Sequence, residues 1–331
     1  MKNRIIFFSG GKGSFAAAAY VKEHFPDDNI VLYFTDTKWE DEDLYRFNNE
    51  VSDKLKLPLL THADGRNPVE LMYDQKVVFN SRIGQCSIVL KVKVAADFLK
   101  KGIKPNIERW RNKEYLKGEN FRKDAILYFG IDWTEVHRLG PVKKNWKPFK
   151  VEAPLVDEII NPDDYLEKYD IRQPRLYDLG FAHNNCKGRC VKAGQGHFTN
   201  LKAKLPDTFK EIKEQEWHMQ QYVSHYHTIR RLEEHGFDDE VKQIYLEDLD
   251  DAYRDYFLGK ADKPKVFIPP NLQYTTYAFM RKQEDKVKEP YTIRDLEIDI
   301  EKEGLQMDMF DIGGCGCFLD PEMVCEVGNM E

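Results

Sequence analysis

The stretch that decides the fold reads Arg4-Ile5-Ile6-Phe7-Phe8-Ser9-Gly10-Gly11-Lys12-Gly13-Ser14-Phe15-Ala16-Ala17-Ala18-Ala19-Tyr20-Val21. A short apolar run breaks at a Ser/Gly-rich turn. It then continues into an alanine-rich segment that stops near Pro26. This pattern predicts strand, loop and helix in that order. A glycine-rich turn lets backbone N–H groups approach an anion closely, and a helix N-terminus adds partial positive charge. Lys12 adds a full charge, and Ser9 and Ser14 add hydroxyls. The G-x-x-x-x-G-K-[ST] spacing of a Walker A loop is missing, and so is G-x-G-x-x-G.

Working outward, Ile30–Phe34 is a second buried-strand pattern and Asp41–Leu55 an acidic helix. Pro58-Leu59-Leu60-Thr61 reads as a third strand, Ile88–Lys101 as a helix, and Ala125–Phe129 as a strand ending at Gly130. Strands alternating with helices imply an α/β fold: a Rossmann-like parallel sheet with helices on both faces. Beyond about Pro162 the strand signals fade. Gly180–Leu201 is rich in loop residues, and Pro206–His235 and Asp239–Phe257 predict long polar helices. The expected division is an anion-binding domain over residues 1–160 and a mostly helical, cysteine-containing region over 161–331.

Of 331 residues, 41% are hydrophobic and 32% charged, which suits a chain that buries a real core. No apolar run approaches the roughly 18 residues of a membrane span. The first residues are interrupted too soon by glycine to form a signal peptide, so a cytoplasmic setting is expected. A net charge of −7 argues against an overall basic nucleic-acid binder, though a local basic groove can sit on an acidic body. Six cysteines are too few for a disulfide scaffold; clustered in a reducing compartment they mean metal or redox chemistry.

Ser9-Gly10-Gly11-Lys12-Gly13-Ser14 resembles the PP-loop, usually SGGxDS, of the adenine nucleotide alpha-hydrolase-like ATP pyrophosphatases. That superfamily includes phosphoadenosine-phosphosulfate (PAPS) reductases, tRNA thiolation enzymes and the phosphorothioation enzyme of DNA. Phe34-Thr35-Asp36-Thr37-Lys38-Trp39-Glu40 resembles the adenosine-holding segment of the PAPS-reductase branch. Cys86-Ser87-Ile88-Val89-Leu90-Lys91 resembles its "CS..LK" helix start. Gly130-Ile131-Asp132-Trp133-Thr134-Glu135-Val136-His137-Arg138 resembles its "GI…E..R" segment, and Ala153-Pro154-Leu155 the "PL" that follows.

The resemblance implies a HUP-type fold that binds ATP with Mg2+. ATP is cleaved between its α and β phosphates, AMP passes to an acceptor oxygen, and a nucleophile then displaces AMP. Carried over residue by residue, Ser9, Gly10, Gly11, Lys12, Gly13, Ser14, Asp36, Thr37 and Gly130 bind the nucleotide, and Lys12, Asp36 and Arg138 are the catalytic candidates. The usual Asp of SGGxDS is Gly13 here. Either another carboxylate such as Asp36 serves the metal and triphosphate, or pyrophosphatase activity is weakened. Three readings stay open: an adenylating enzyme that thiolates a nucleic acid or nucleotide, a PAPS or APS reductase-like oxidoreductase, and a nucleotide-binding sensor.

Cys186 and Cys190 lie in Gly180-Phe181-Ala182-His183-Asn184-Asn185-Cys186-Lys187-Gly188-Arg189-Cys190, and Cys315 and Cys317 in Gly313-Gly314-Cys315-Gly316-Cys317-Phe318. Two close, glycine-flanked pairs make a four-thiolate site for Zn2+ or an iron–sulfur cluster. Separate buried thiols and a Cys186–Cys190 redox pair are the other readings. These segments resemble a PAPS-reductase-like branch of phage and bacterial type; the "ECGLH" terminus of the reductases is absent. Cys86, at a helix start, is either a sulfur carrier with a lowered thiol pKa or a packing residue. Lys100–Lys113 and Arg138–Lys150 are basic stretches containing Trp110 and Trp146, a composition that suits tRNA or DNA, or else plain solvated loops. The expected partners are therefore a tRNA or DNA acceptor, a sulfur-donor protein and a second copy of the chain, with no membrane.

Overall fold

The computed structural model of the chain describes residues 1–234, 278–284 and 287–303. They divide into two compact units. One comprises residues 1–66 and 85–190; the other comprises 67–84 and the described residues between 191 and 303. The first unit thus runs past the expected boundary near residue 160. The reason is local: Tyr177 and Asn184 hydrogen-bond back onto the Ser9–Ser14 loop.

The first unit is built on a six-stranded sheet. Its strands are β1 (Asn3–Phe7), β2 (Asn29–Thr35), β3 (Leu59–Ala63), β4 (Ile107–Arg111), β5 (Ile126–Phe129) and β6 (Lys150–Glu152). Their spatial order is β4-β3-β2-β1-β5-β6. All pair parallel except β4, which runs antiparallel to β3 with Leu60 opposite Trp110. The Rossmann-like expectation holds, with one antiparallel edge added. All seven residues of β2 are buried, as a strand covered on both faces requires.

Alternation along the strands sorts side chains onto two cores. Ile6, Phe8, Leu32 and Phe34 face helix α1 (Lys12–His24) and helix α2 (Glu42–Leu55). Ile5, Phe7, Val31, Tyr33 and Leu127 pack with Phe98, Leu99 and Trp146 on the other face. Ala16–Ala19 are fully buried, and their small side chains let α1 lie close to the sheet. Asp41 starts α2 by accepting the Asp43 N–H at 2.9 Å, and Glu42 and Asp43 suit the positive end of its dipole. Residues 85–101 form one helical run in which wider turns cover Ile88–Lys93 and Asp97–Lys101.

That run starts at Gln85 and ends near the amino end of β5. There Arg122, just upstream of the strand, donates to the Phe98 carbonyl at 2.7 Å. Lys100 donates to the Asn145 carbonyl at 2.7 Å, ahead of β6. The two basic stretches therefore touch at Lys100 and Asn145, near the amino ends of β5 and β6. Trp146 is core, not a stacking platform: its ring lies 4.7 Å from that of Phe7.

The second unit holds the helices Pro68–Gln75, Gln195–Lys204, Pro206–Glu234 and Ile293–Glu303, and an antiparallel pair β7 (Met280–Glu284) and β8 (Val287–Tyr291). The pair was not foreseen in the sequence. On the long helix, buried Glu216 accepts the Phe279 N–H at 2.8 Å and the Ile293 N–H at 2.7 Å. Burial pushes its carboxyl up to about 7. Tyr73 stacks on Tyr222 with centroids 4.5 Å apart. The expected helix Asp239–Phe257 and Cys315 and Cys317 lie outside the described residues. Among those described, no helix is long and apolar enough to cross a membrane.

Candidate nucleotide site at the β1–α1 loop

Ser9–Ser14 leaves the carboxyl end of β1 and enters α1. Open α/β sheets bind ligands along that edge. Gly10 has φ +81°, and a Cβ on it would fall 2.7 Å from Leu44 Cγ and 2.8 Å from Asn48 Oδ1. The turn therefore requires glycine. Ser14 Oγ donates to the Gly11 carbonyl at 2.9 Å. Gly11 is the N-cap of α1 without a side-chain cap, and no acidic residue sits in the first turn. Apart from the Lys12 N–H, which Tyr177 Oη accepts at 3.3 Å, the first turn of α1 has no side-chain cap and faces an anion with its positive end.

Gly13 and Gly130 touch backbone to backbone. A Cβ on Gly13 would meet the Gly130 carbonyl oxygen at 2.9 Å, and one on Gly130 would meet Gly13 C and Ser14 N at 2.5 Å. The departure from SGGxDS has a steric cause here: α1 rests directly on the end of β5. Lys12 Nζ is held 2.9 Å from Asp163 Oδ1 and 5.1 Å from the centroid of the Tyr177 ring.

The end of β2 supplies a second group of residues. Asp36 Oδ1 accepts the Lys38 N–H at 2.7 Å and the Tyr45 hydroxyl at 2.8 Å, leaving Oδ2 without a hydrogen-bond partner among the described residues. Burial raises the Asp36 pKa against these two bonds. Thr37 is buried and donates to Glu40 Oε1 at 2.9 Å. Glu40 also pairs with Lys91 Nζ at 3.4 Å and accepts the Cys186 N–H at 2.5 Å. Burial works against the charge on Lys91, but Glu40, with Cys186 and Cys86 nearby, holds its pKa above the usual lysine value.

Cys186 and Cys190 are buried together, and hydrogen bonding between their thiols, aided by burial and Glu40, pushes the Cys186 pKa well up. Cys186 and Lys187 both take positive φ, 58° and 51°. Arg189 lies 3.6 Å over the Trp39 ring. This turn is tied to the loop by Asn184 Nδ2, which donates to the Gly10 carbonyl at 3.0 Å. No group of three or more potential metal ligands gathers among the described residues.

The structure thus brings Ser9–Ser14 and Gly130 into contact and puts Asp36 and Thr37 at the end of the neighbouring strand. It leaves Arg138 ion-paired with Glu135 on the short helical turn Trp133–Arg138; among the described residues Arg138 makes no hydrogen bond or ion pair to the loop. Sequence reasoning gave no role to Glu40, Asn48, Lys91, Tyr177 or Asn184. Glu40 and Lys91 stand as charges inside the quoted motifs, a usable signal. Asn184 joins Gly10 from 174 residues away, and nothing local announces that.

Residues 3–109 match the family model of the phosphoadenosine phosphosulfate reductase domain. This segment belongs to that family. It is a PAPS-reductase-like branch of the PP-loop, adenine nucleotide alpha-hydrolase superfamily. The match covers less than half of the chain and ends within β4. No curated protein and no solved structure matches the chain. Gly130, Tyr177, Asn184 and the Cys186–Cys190 turn all lie beyond the matched segment.

Proposed function

We propose that this chain binds ATP with its phosphates on Ser9–Ser14 and transfers AMP to an acceptor oxygen on a nucleic acid or nucleotide. The observation that carries the reading is the N-terminus of α1, without a side-chain cap and preceded by Gly10 and Gly11, at the carboxyl edge of a sheet of PP-loop type. The acceptor oxygen attacks the α-phosphorus, its bond to the bridging oxygen breaks, and pyrophosphate leaves. Backbone N–H groups at Gly13 and Ser14 would stabilise the charge that builds on the leaving group. A sulfur nucleophile from a donor protein would then displace AMP from the acceptor.

Mg2+ fits this site as an ion carried mainly by the phosphates, with one protein carboxylate beside it. Asp36 offers that carboxylate through Oδ2, and a cation there would offset the cost of burying its charge. Of the four thiols expected to hold Zn2+ or an iron–sulfur cluster, Cys186 and Cys190 lie side by side and suit a shared ion. Such an ion would replace their thiol protons and fix the turn that holds Gly10. Lys12 would contribute by leaving Asp163 for the phosphates.

The name of the matched family favours a second reading, reduction of a sulfonucleotide. One assay separates the two. The adenylating reading expects release of pyrophosphate and AMP from ATP and Mg2+, stimulated by tRNA or DNA. Sulfite release from PAPS with a thiol reductant, and no pyrophosphate from ATP, would overturn it in favour of the reductase. ATP binding with neither product would make the chain a sensor.

A further inference from the structure

We propose that Tyr177 is a substrate-contacting residue, its hydroxyl donating a hydrogen bond to a phosphate oxygen held over the N-terminus of α1. The inference rests on the reading of Ser9–Ser14 as the phosphate loop and adds a residue from outside the matched segment. Tyr177 Oη accepts the Lys12 N–H at 3.3 Å, and a Cβ on Gly11 would fall 3.0 Å from it. The hydroxyl therefore stands over the loop backbone, at the open end of the helix. Its own proton has no acceptor among the described residues. Burial raises its pKa, so near neutral pH the group keeps that proton and acts as a donor.

The position is built rather than incidental. The helical turn Arg175–Asp178 is fastened by Arg175, which donates to both oxygens of Asp41 at 2.9 and 2.7 Å and through its backbone N–H to Asp43 at 2.8 Å. Downstream, Asn184 grips the Gly10 carbonyl, which turns the Gly11 N–H the other way, since C=O and N–H of a trans peptide point oppositely. Beside Gly10 two buried groups lack partners: both amide atoms of Asn48 and Oδ1 of Asn184, residues 2% and 1% exposed. Buried polar atoms without partners mark a place where a polar ligand or ordered water completes the bonding. A hydroxyl held in this way suits pyrophosphate as it departs, because the added charge strengthens the bond it accepts.

The test titrates pyrophosphate, and separately Mg2+–ATP, into the full chain and its Tyr177→Phe variant by calorimetry, with thermal unfolding as a control. Loss of one hydrogen bond to an anion should weaken both affinities about tenfold or more while the unfolding temperature stays put. Equal affinities for the two proteins overturn the proposal and leave the phosphate loop standing. Tighter binding by the variant also overturns it, since the hydroxyl would then be a plug in the anion's place. If the unaltered chain binds neither ligand, the phosphate-loop reading itself falls, and Tyr177 with it.

Discussion

Gly130 lies so close to Gly13 that a Cβ on Gly130 would sit 2.5 Å from the Gly13 carbonyl carbon. This contact fixes the seat of α1 on β5 and leaves no room for a side chain at either position. Restoring the family residue with Gly13→Asp should therefore harm the protein rather than improve it. Overpacking of this kind costs about 1–3 kcal/mol. Thermal unfolding would register the loss as a lower Tm. An unchanged Tm with faster pyrophosphate release would show that the helix can move aside.

Glu40 and Lys91 form a buried pair whose carboxylate also holds Thr37 and the Cys186 backbone. Removing one partner leaves a buried charge uncompensated, at about 3–5 kcal/mol. Glu40→Ala and Lys91→Ala should each approach that loss in denaturant unfolding. Glu40→Met with Lys91→Met should be milder than the sum of the two methionine singles. The folded Lys91 pKa is raised, so its contribution is complete below the unfolded value of 10.5 and fades only as pH rises beyond it. Strict additivity of the methionine variants would remove the pair from the account.

Glu216 titrates in a range that is easy to reach. Burial pushes its folded pKa to about 7, above the usual glutamate value of 4.5, so the folded state holds the proton more tightly. Stability from this group is complete below pH 4.5 and is lost as pH rises through about 7. Glu216→Gln cannot ionise and should flatten that part of the pH profile, while weakening one of the two amide contacts. If the variant keeps the full slope between those limits, another group is responsible.

The Cys186–Cys190 pair predicts a metal measurement. After anaerobic purification, Cys186→Ser and Cys315→Ser should each lower zinc or iron content together with Tm, since a bound ion adds folding energy. Metal content at the level of the unaltered chain in both variants would leave the thiols as packing residues.

Much of the sheet was legible because its strands are short apolar runs between turn signals. Arg4–Phe8, Ile30–Phe34 and Ala125–Phe129 all fell within a residue or two of their strands. β4 was not legible. Ile107-Glu108-Arg109-Trp110-Arg111 is an edge strand, and its charges read as a basic loop rather than as a strand with one wet side. The loop glycines announced the site. The segment that completes it did not, because Tyr177 and Asn184 sit in a stretch of ordinary loop composition. Nothing in the sequence of the basic stretches showed that Lys100 would donate to the Asn145 carbonyl, ahead of β6.

The bond from Asn184 to Gly10 also has a consequence in time. Synthesis runs from the amino terminus, and domains fold as their residues emerge. β1, α1 and β2 can pair early, since their contacts are local, whereas Asn184 reaches Gly10 only after 174 further residues have been made. The loop that begins the chain is thus among the last parts to be finished. A newborn chain presents the glycines before it presents the groups that hold them in place. Nucleotide capture would then follow completion of the first unit, and a ribosome-bound chain ending before residue 175 would carry a sheet with an unclosed mouth.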